Sequence, residues 1–359
     1  MGRLNRREMT GSILLYGATG YTGKLIAREA RAKGASAVLA GRNPNMLKAV
    51  AKGLDLPWRS FDLADQKKVD AALKGVSVVL NAAGPFSATA RPIADACLRQ
   101  GPHYLDITGE IDVFEGLFAR DAEAQRAGVT LMPGVGFDVV PSDCLAAHLK
   151  HRLPDATHLT IYLSAGFNVS RGTAKTAIEG IADGVRARRN GRLVTLARPD
   201  TGSCNFGKGL RRTIQIPWGD LSTAFHSTGI PNIEVHVEAP PALQALALTP
   251  AFVRSLLALP PAQAFLKALA NRQPEGPSDE ARCRARAVLV GVARNAKGEA
   301  VRTRLTTPEG YTLTARTSLD ATMRVAAGEF KPGFQTPSMA FGPDYILGFE
   351  GVMREELNA

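Results

Sequence analysis

The stretch Ile13-Leu14-Leu15-Tyr16-Gly17-Ala18-Thr19-Gly20-Tyr21-Thr22-Gly23 decides the fold, because an apolar run leads into a turn with a glycine at every third position. A helical pattern follows directly. This order of strand, glycine turn and helix is typical of the first βαβ unit of a dinucleotide-binding domain. The alternative is that the glycines serve only the geometry of a strand-to-helix junction.

The three glycines have different expected roles in such a turn. Gly17 permits the tight turn, Gly20 lets a pyrophosphate approach the backbone, and Gly23 lets the helix pack closely on the strand. The start of the helix then offers N–H groups and a partial positive charge to the phosphates. The residues predicted to contact the cofactor here are Gly17, Thr19, Gly20, Tyr21, Thr22 and Gly23.

The end of the second predicted strand indicates which nicotinamide cofactor binds. NAD sites commonly place a carboxylate there for the ribose 2′-hydroxyl, whereas this chain has Gly41-Arg42. Since a guanidinium pairs with a 2′-phosphate, the sequence predicts NADP(H), with Arg42 as the main contact. Asn43 and Lys48 are possible helpers. The alternative is an ordinary surface arginine after a strand.

Six apolar segments alternate with helical patterns, which predicts a doubly wound parallel sheet of the Rossmann type. The later predicted strands are 37–42, 58–61, 76–81, 103–106 and 129–132. Asp62 follows the third of the six strands and either contacts the adenine or caps a helix. Ala82, Ala83, Gly84, Pro85 and Phe86 follow the fourth, where small residues let a cofactor lie against the backbone. Pro92 is predicted to open the next helix.

Three carboxylates follow the last two of these strands and are candidates for proton transfer or substrate positioning. Asp106 and Glu110 follow the fifth strand, and Asp138 follows the sixth. Ligands in such folds bind outside the carboxyl ends of the strands. The alternative is that these side chains cap neighbouring helices.

Composition limits the classes of function. The chain has 359 residues and a formal net charge of +11, with its basic residues scattered, which favours anionic ligands but argues against nucleic-acid binding. Four widely spaced cysteines predict neither a zinc site nor a disulfide framework, so we expect no metal and a reducing, cytoplasmic location. The sequence shows no secretory signal and no apolar run long enough to span a bilayer.

The sequence changes character after the nucleotide-binding part, and we expect a second, mixed α+β domain. Predicted boundaries are 11–145 for the Rossmann domain, 146–318 for an inserted substrate or dimerisation domain, and 319–359 for a segment that returns to the Rossmann domain. Expected elements include strands at 158–165, 193–196, 212–216 and 232–238, a helix at 172–189, and a meander of strands at 285–293, 300–306 and 310–317. A helix near 319–327 is expected to follow that meander.

Two segments of the second domain have open interpretations. Residues 219–229 are dense in hydroxyls and either line a substrate pocket or form a hydrogen-bonded loop; His226, within them, is better explained by structure than by catalysis. Residues 242–270 are apolar and broken by prolines, which indicates short packed helices or a patch for a lipid or acyl chain.

Several of these motifs together resemble the saccharopine dehydrogenase-like superfamily. They are 17–23, 40–43, 81–86, 104–110 and 132–143, and later segments at 219–234, 275–277 and 334–338 look like its trans-acting enoyl reductase branch. The resemblance implies an NADP-binding Rossmann domain, an inserted α+β domain and a homodimer. It supplies no catalytic motif that can be carried over to this chain.

These patterns predict an NADPH-dependent oxidoreductase that transfers hydride to an enoyl or imine substrate. The short-chain dehydrogenase mechanism is excluded, because it needs Tyr-x-x-x-Lys and no tyrosine here has a lysine four residues later. Expected partners are a small-molecule or acyl substrate, with peripheral lipid contact possible. The alternative is a non-catalytic NADP(H) sensor or scaffold.

Overall fold

The computed structural model describes residues 12–165, 170–179, 184–239, 253 and 256–358. It forms two compact units. The first contains the chain up to Asp138 together with Tyr311–Ala340, and the second contains Val139–Gly310 and the chain from Phe341 onward.

The strands and helices of the described residues are numbered in chain order. The strands are β1 Ile13–Tyr16, β2 Ala37–Gly41, β3 Trp58–Ser60, β4 Val78–Asn81, β5 His103–Asp106, β6 Thr130–Met132, β7 Ala156–Ser164, β8 Val185–Arg189, β9 Arg192–Leu196, β10 Thr201–Asn205, β11 Leu210–Gln215, β12 Asn232–Glu238, β13 Arg286–Asn295, β14 Ala300–Pro308, β15 Gly333–Phe334 and β16 Met353–Leu357. The helices are α1 Tyr21–Lys33, α2 Pro44–Leu54, α3 Gln66–Ala72, α4 Phe86–Gln100, α5 Ile111–Phe118, α6 Asp121–Ala127, α7 Val140–Arg152, α8 Arg171–Glu179, α9 Asp220–Thr228, α10 Pro260–Asn271, α11 Asp279–Arg284, α12 Gly310–Ala326 and α13 Pro337–Phe341.

The first unit is built on a parallel sheet in the order β15-β6-β5-β4-β1-β2-β3. The central strands β1, β2 and β4 are buried along their whole length, as expected where helices cover both faces of a parallel sheet. The order in which successive strands are added reverses beside β1, since β2 and β3 lie on one side of it and β4, β5 and β6 on the other. Ligands bind at such a switch point in this kind of sheet. The predicted Rossmann-type sheet is therefore confirmed.

The second unit contains a nine-stranded mixed sheet, whose main path is β10-β11-β12-β7-β13-β14-β16. β8 pairs with β12 and with β9. Buried residues of β7 and β12, such as Leu159, Ile161, Ile233 and Val235, alternate with more accessible ones. The predicted α+β character of this part of the chain is confirmed.

The predicted domain boundaries at 146 and 319 lie inside α7 and α12, so the structure divides the chain earlier at both places. The C-terminal segment also divides. β15 extends the first sheet by pairing with β6, whereas β16 pairs with β14 in the second sheet. Most of α12 and all of β15 therefore belong to the first unit, and β16 belongs to the second.

The prediction of a strand at 310–317 was wrong, because these residues begin the long helix α12. Several of its buried positions are threonine or serine, and a search for apolar periodicity does not recognise these residues as buried. Thr317, Ser318 and Thr322 each donate to the carbonyl four residues earlier, at 3.0, 2.6 and 2.6 Å. The helix itself therefore satisfies these buried polar groups.

The predicted helix at 172–189 was also wrong at its end, because residues 185–189 form β8, which pairs with β9 in a hairpin. Asn190 and Gly191 form its two-residue turn, both with positive φ, as the Asn-Gly pair favours. Residues 219–229 contain the helix α9, and His226 lies on it, so the loop interpretation was wrong; the role of this segment in lining a substrate pocket stays a prediction.

Much of the apolar segment 242–270 lies outside the described residues. Its described part includes most of α10, and Leu256, Leu259, Phe265 and Leu269 are exposed there. Among the helices that the structure describes, none is long and apolar enough to cross a membrane.

Candidate functional site: the carboxyl edge of the parallel sheet

The glycine turn between β1 and α1 has one side closed by protein and one side open. Gly17 has φ +88°, and a Cβ added to it would lie 2.7 Å from the backbone of Ala82 and Ala83. A Cβ on Gly23 would lie 2.2 Å from the Gly17 carbonyl oxygen. A Cβ on the exposed Gly20 would meet only that same oxygen, at 3.4 Å. Packing therefore explains two of the glycines, whereas Gly20 leaves room for a ligand.

The start of α1 has the properties of an anion site. Gly20 occupies the N-cap position, no side chain of the described residues caps the helix, and its first turn carries no acidic residue. The N-terminal N–H groups and helix dipole therefore favour a phosphate. Thr19 and Thr22 are partly exposed, and the Tyr21 ring packs edge-on against Tyr311 with centroids 5.1 Å apart.

Arg42 lies beside this turn, directly after β2. Its side chain is exposed, and the Ser60 hydroxyl donates to its carbonyl oxygen at 3.1 Å. Burial raises the pKa of Tyr16, at the end of β1, to about 12, and the positive charge of Arg42 acts on that hydroxyl in the opposite direction. In the described part of the chain, no carboxylate forms an ion pair with Arg42. Its guanidinium can therefore receive a phosphate.

The two neighbouring candidates each hold local structure. Asn43 caps α2, since its Oδ1 accepts from the N–H groups of Asn45 and Met46, each at 3.1 Å. The exposed Asp62 accepts from the Ala64 N–H at 3.0 Å, and Asp65, not Asp62, caps α3. These bonds fix the backbone around Arg42; contact of Asn43 and Asp62 with a cofactor stays a prediction.

A buried network supports the loop Ala82–Phe86 that follows β4. Asn81 is fully buried, and its Oδ1 accepts from the Ala83 N–H at 3.0 Å. Its Nδ2 donates to the Thr89 hydroxyl and to the Tyr104 hydroxyl, at 3.1 and 3.3 Å. Sequence reasoning missed the roles of Asn81 and Tyr104. The position of Asn81, a polar residue at the end of a buried strand, was the signal that could have identified its role.

Asp106 belongs to the same network and is fully buried. Its Oδ2 accepts from the Tyr104 hydroxyl at 2.7 Å, and its Oδ1 accepts from the N–H groups of Thr108 and Gly134, each at 2.9 Å. Burial raises its pKa to about 6, although these hydrogen bonds favour the carboxylate. Asp106 thus joins the ends of β5 and β6, and this geometry favours positioning over contact with substrate.

Glu110 caps α4 from a distance in the sequence. Its Oε1 accepts from the Phe86 N–H at 2.8 Å and its Oε2 from the Ser87 N–H at 2.7 Å. The carboxylate satisfies two N–H groups at the positive end of the helix. This cap explains why α4 begins at Phe86, so that Pro92 lies inside the helix and does not open it as predicted.

Replacing Glu110 with glutamine is expected to lower the free energy of unfolding by about 1–3 kcal/mol, because the amide nitrogen then faces a backbone N–H donor. Urea denaturation measures this change. Glu29→Gln removes only the surface pair with Lys33 and should change stability by less than about 0.5 kcal/mol. If Glu110→Gln abolished turnover at unchanged stability, Glu110 would instead be a proton-transfer group.

Asp138 is partly accessible, as Glu110 is, whereas Asp106 is fully buried. Its Oδ2 lies 3.0 Å from the position that a Cβ on Gly109 would occupy, so it packs on the turn after β5. Burial raises the pKa of its carboxyl to about 6. A carboxylic acid with this pKa keeps its proton closer to neutrality than an ordinary aspartate.

Three of the predicted segments therefore meet at one edge of the sheet. Glu110 links the turn after β5 to the loop Ala82–Phe86, and Asp138 lies against the same turn. Gly17 packs on that loop from the other side. The arrangement combines an anion-binding turn, a backbone surface of small residues and a carboxyl group with a raised pKa.

Comparison with known proteins agrees with this geometry. Residues 13–132 match the family described as the saccharopine dehydrogenase NADP-binding domain. This stretch runs from the start of β1 to the end of β6, and so contains the glycine turn, Arg42 and the loop after β4.

Two relatives show how far the sequence likeness extends. A trans-acting enoyl reductase of Mycobacterium tuberculosis (strain H37Rv) is 33% identical over 158 residues, which cover 40% of this chain and 37% of that protein. A saccharopine dehydrogenase-like oxidoreductase of Homo sapiens is 28% identical over 203 residues, covering 49% and 47%. The matches therefore span less than half of the length of either relative.

The likeness of fold extends further than the likeness of sequence. The apo saccharopine dehydrogenase (L-Glu forming) of Saccharomyces cerevisiae aligns with 97% of this chain and 100% of its own, with a TM-score of 0.65 and 12% identity. At this identity the comparison establishes the fold alone.

Proposed function

We propose that this protein, whose residues 13–132 match the saccharopine dehydrogenase NADP-binding domain, is an NADPH-dependent reductase acting on an enoyl or imine substrate. The observation that carries the proposal is the space beside Gly20 at the start of α1, which no side chain of the described residues caps. Arg42 lies next to this space, and no carboxylate in the described part of the chain forms an ion pair with it. NADPH supplies a hydride when it is bound.

Each part of the cofactor has assigned residues in this proposal. The turn Gly17–Gly23 and the start of α1 hold the pyrophosphate, and Arg42 holds the 2′-phosphate. The loop Ala82–Phe86 supports the nicotinamide, because Gly84 is exposed and Ala82 and Ala83 are partly exposed. Asn81, Asp106 and Glu110 keep that loop in place through hydrogen bonds. The protein's contribution is orientation, exclusion of water and a proton donor.

We assign the proton donor to Asp138. Reduction of a conjugated C=C bond or an imine needs a proton as well as a hydride. Asp138 is partly accessible, packs against the turn after β5 and has a carboxyl pKa raised to about 6 by burial. The raised pKa keeps the acid form populated up to about pH 6.

The pH profile of the reductase is expected to follow this assignment. Below about pH 6 Asp138 is protonated, so kcat/KM should be flat; above it the acid form, and with it kcat/KM, should fall by about tenfold per pH unit. Asp138→Asn should remove this limb together with most of the turnover, whereas Asp55→Asn, at an exposed site that pairs with Arg31, should leave the profile unchanged. Wild-type rates in Asp138→Asn would exclude it as the donor.

An enoyl or lipid-like substrate is favoured over an imine. The described part of 242–270 exposes four large apolar side chains, with Phe265 at 69% and Leu256 at 57% exposure. Such a cluster suits an acyl chain. An imine derived from amino and keto acids would need arginines for its carboxylates, and Arg171, at the start of α8, already donates to the Gln273 carbonyl oxygen at 2.5 Å.

NADPH oxidation measured with a series of enoyl thioesters and with a series of keto acids plus amines tests this preference. We expect turnover with the first series. Turnover only with the second would make the protein an imine reductase. NADPH binding without turnover in either series, accompanied by a ligand-dependent change in assembly, would favour the sensor.

The proposal also includes a homodimer in a reducing cytoplasm. Three of the four cysteines are buried thiols and Cys283 is an exposed thiol, a set that suits a reducing environment. Light scattering on the purified full chain tests the dimer, and a monomer at micromolar concentration would contradict it.

A further inference from the structure

The second unit contains a cleft of ≈ 320 Å³ on one face of its mixed sheet. Strands β7, β8, β12 and β13 contribute residues to it, and those that matter to its chemistry are His158, Thr160, Arg189, Glu234 and Arg294. All belong to the second unit, and neither the cofactor turn nor the candidate carboxylates lie among them.

The residues that line the cleft include two arginines and one carboxylate, and the carboxylates of Asp155 and Glu299 reach its border through hydrogen bonds from Asn295. Arg189 forms an ion pair with Glu234, which is the one carboxylate among the residues lining the cleft. Arg294 lines the cleft, and Arg302 stands opposite Val292, another of its residues, on the adjacent strand. Both arginines are exposed, and in the described chain neither guanidinium forms an ion pair or a side-chain hydrogen bond.

This lack of partners distinguishes the two arginines from their neighbours. Arg304, two residues after Arg302 on the same face of β14, pairs with Glu355 at 2.9 Å. Arg294 and Arg302 are diagonal neighbours in the β13–β14 ladder, so their Cα atoms are about 7–8 Å apart. Two guanidinium groups on long side chains can therefore reach one anion between them.

Uncharged donors lie beside these arginines. The charges of Arg294 and Arg302 both act on the Tyr162 hydroxyl, which stays protonated because burial raises its pKa. The Tyr162 ring packs against His236, with centroids 5.3 Å apart. His236 is 5% exposed; its Nε2 lies 3.5 Å from Glu234, while its Nδ1 is buried without a hydrogen-bond partner in the described chain. A buried polar atom of this kind calls for a partner.

We propose that this cleft binds the phosphate group of a small metabolite. Two unpaired guanidinium groups from adjacent strands, with the hydroxyls of Thr160 and Tyr162 on the neighbouring strand β7, suit a tetrahedral dianion, whereas one arginine satisfies a planar carboxylate. The cleft is at the lower end of the ~300–1,000 Å³ typical of ligand pockets, which fits a phosphorylated metabolite better than a dinucleotide. This inference goes beyond the reductase proposal and does not depend on it.

Isothermal titration of the full-length protein with inorganic phosphate tests the proposal, at constant ionic strength and with saturating NADP⁺ present so that a nucleotide site is filled. Sodium acetate provides the carboxylate arm. We expect millimolar or tighter phosphate binding that weakens at least about tenfold in the Arg294→Ala/Arg302→Ala variant, since each charged hydrogen bond contributes strongly. The single variants should each show part of this loss.

Arg286→Ala is the matched control, because Arg286 is an exposed arginine eight residues earlier on β13, about 26 Å away along the strand. It should bind phosphate like the wild type. Equal phosphate binding in the double variant, absence of binding at millimolar phosphate, or tighter binding of acetate would each overturn the proposal. Because the comparison is between variants of the second unit, its outcome does not depend on whether NADP⁺ binds.

Discussion

Replacement of Arg42 with alanine is expected to weaken NADPH binding by about ten- to a hundredfold while NADH binding changes little, because the lost guanidinium contacts only the 2′-phosphate. Each charged hydrogen bond contributes about 1.5–3 kcal/mol, and no carboxylate of the described residues competes for the Arg42 side chain. Arg42→Glu should go further and favour NADH, since a carboxylate repels the phosphate and accepts from the ribose hydroxyl.

Fluorescence titration of each variant with NADPH and with NADH measures this change. Lys52→Ala is the control, because Lys52 is an exposed cation at the end of α2, away from the start of the helix where Asn43 and Arg42 lie. An equal loss of affinity for both coenzymes in Arg42→Ala would show that Arg42 supports the fold of the turn and does not select the phosphate.

Gly20 and Gly23 are expected to respond in opposite ways to the same substitution. Gly23→Ala places a methyl group 2.2 Å from the Gly17 carbonyl oxygen and 2.9 Å from the Ala18 Cα, so the backbone must move. We expect it to destabilise the protein by about 3 kcal/mol. Gly20→Ala meets only an ordinary contact at 3.4 Å, with φ −74°, which any residue adopts. Its stability should change by less than about 1 kcal/mol.

The effect of Gly20→Ala on NADPH affinity is expected to differ from its effect on stability. Gly20→Ala should weaken NADPH binding by about tenfold or more, because its methyl group enters the space that the pyrophosphate needs. Thermal melting and NADPH titration of the two variants separate the effects. A Gly20→Ala protein that melts normally and binds NADPH normally would show that the open side of the turn is not a phosphate site.

The central strands of the first sheet could be predicted because β1, β2 and β4 are short, continuously buried apolar runs. The prediction placed a strand at 37–42, and β2 is Ala37–Gly41; the strand predicted at 103–106 coincides with β5. Parallel strands covered on both faces leave this signal in the sequence. The glycine turn was equally visible, because its spacing follows from geometry.

The roles of the carboxylates could not be predicted, because they depend on contacts between distant parts of the chain. Glu110 binds N–H groups 24 and 23 residues earlier, and Asp106 binds the N–H of Gly134, 28 residues later. Local sequence identifies a carboxylate after a strand but not the donor that meets it. The spacing Tyr104-x-Asp106 places both side chains on one face of β5, and it was the one local sign of their hydrogen bond.

The helix α12 illustrates a different limit of sequence reasoning. Three alternating residues, Tyr311, Leu313 and Ala315, indicate a strand, yet the buried positions Thr314, Thr317 and Ser318 follow helical spacing. Threonine and serine read as polar in the pattern, although the helix satisfies their hydroxyl groups internally. An apolar count therefore missed half of the buried side.

Isothermal titration calorimetry of the unmodified protein with NADPH and NADH tests the central claim most directly, that the turn Gly17–Gly23 and Arg42 together bind a phosphorylated dinucleotide. The account predicts one site per chain and NADPH binding at least about tenfold tighter than NADH binding. Absence of heat with both coenzymes, or tighter binding of NADH, would contradict it.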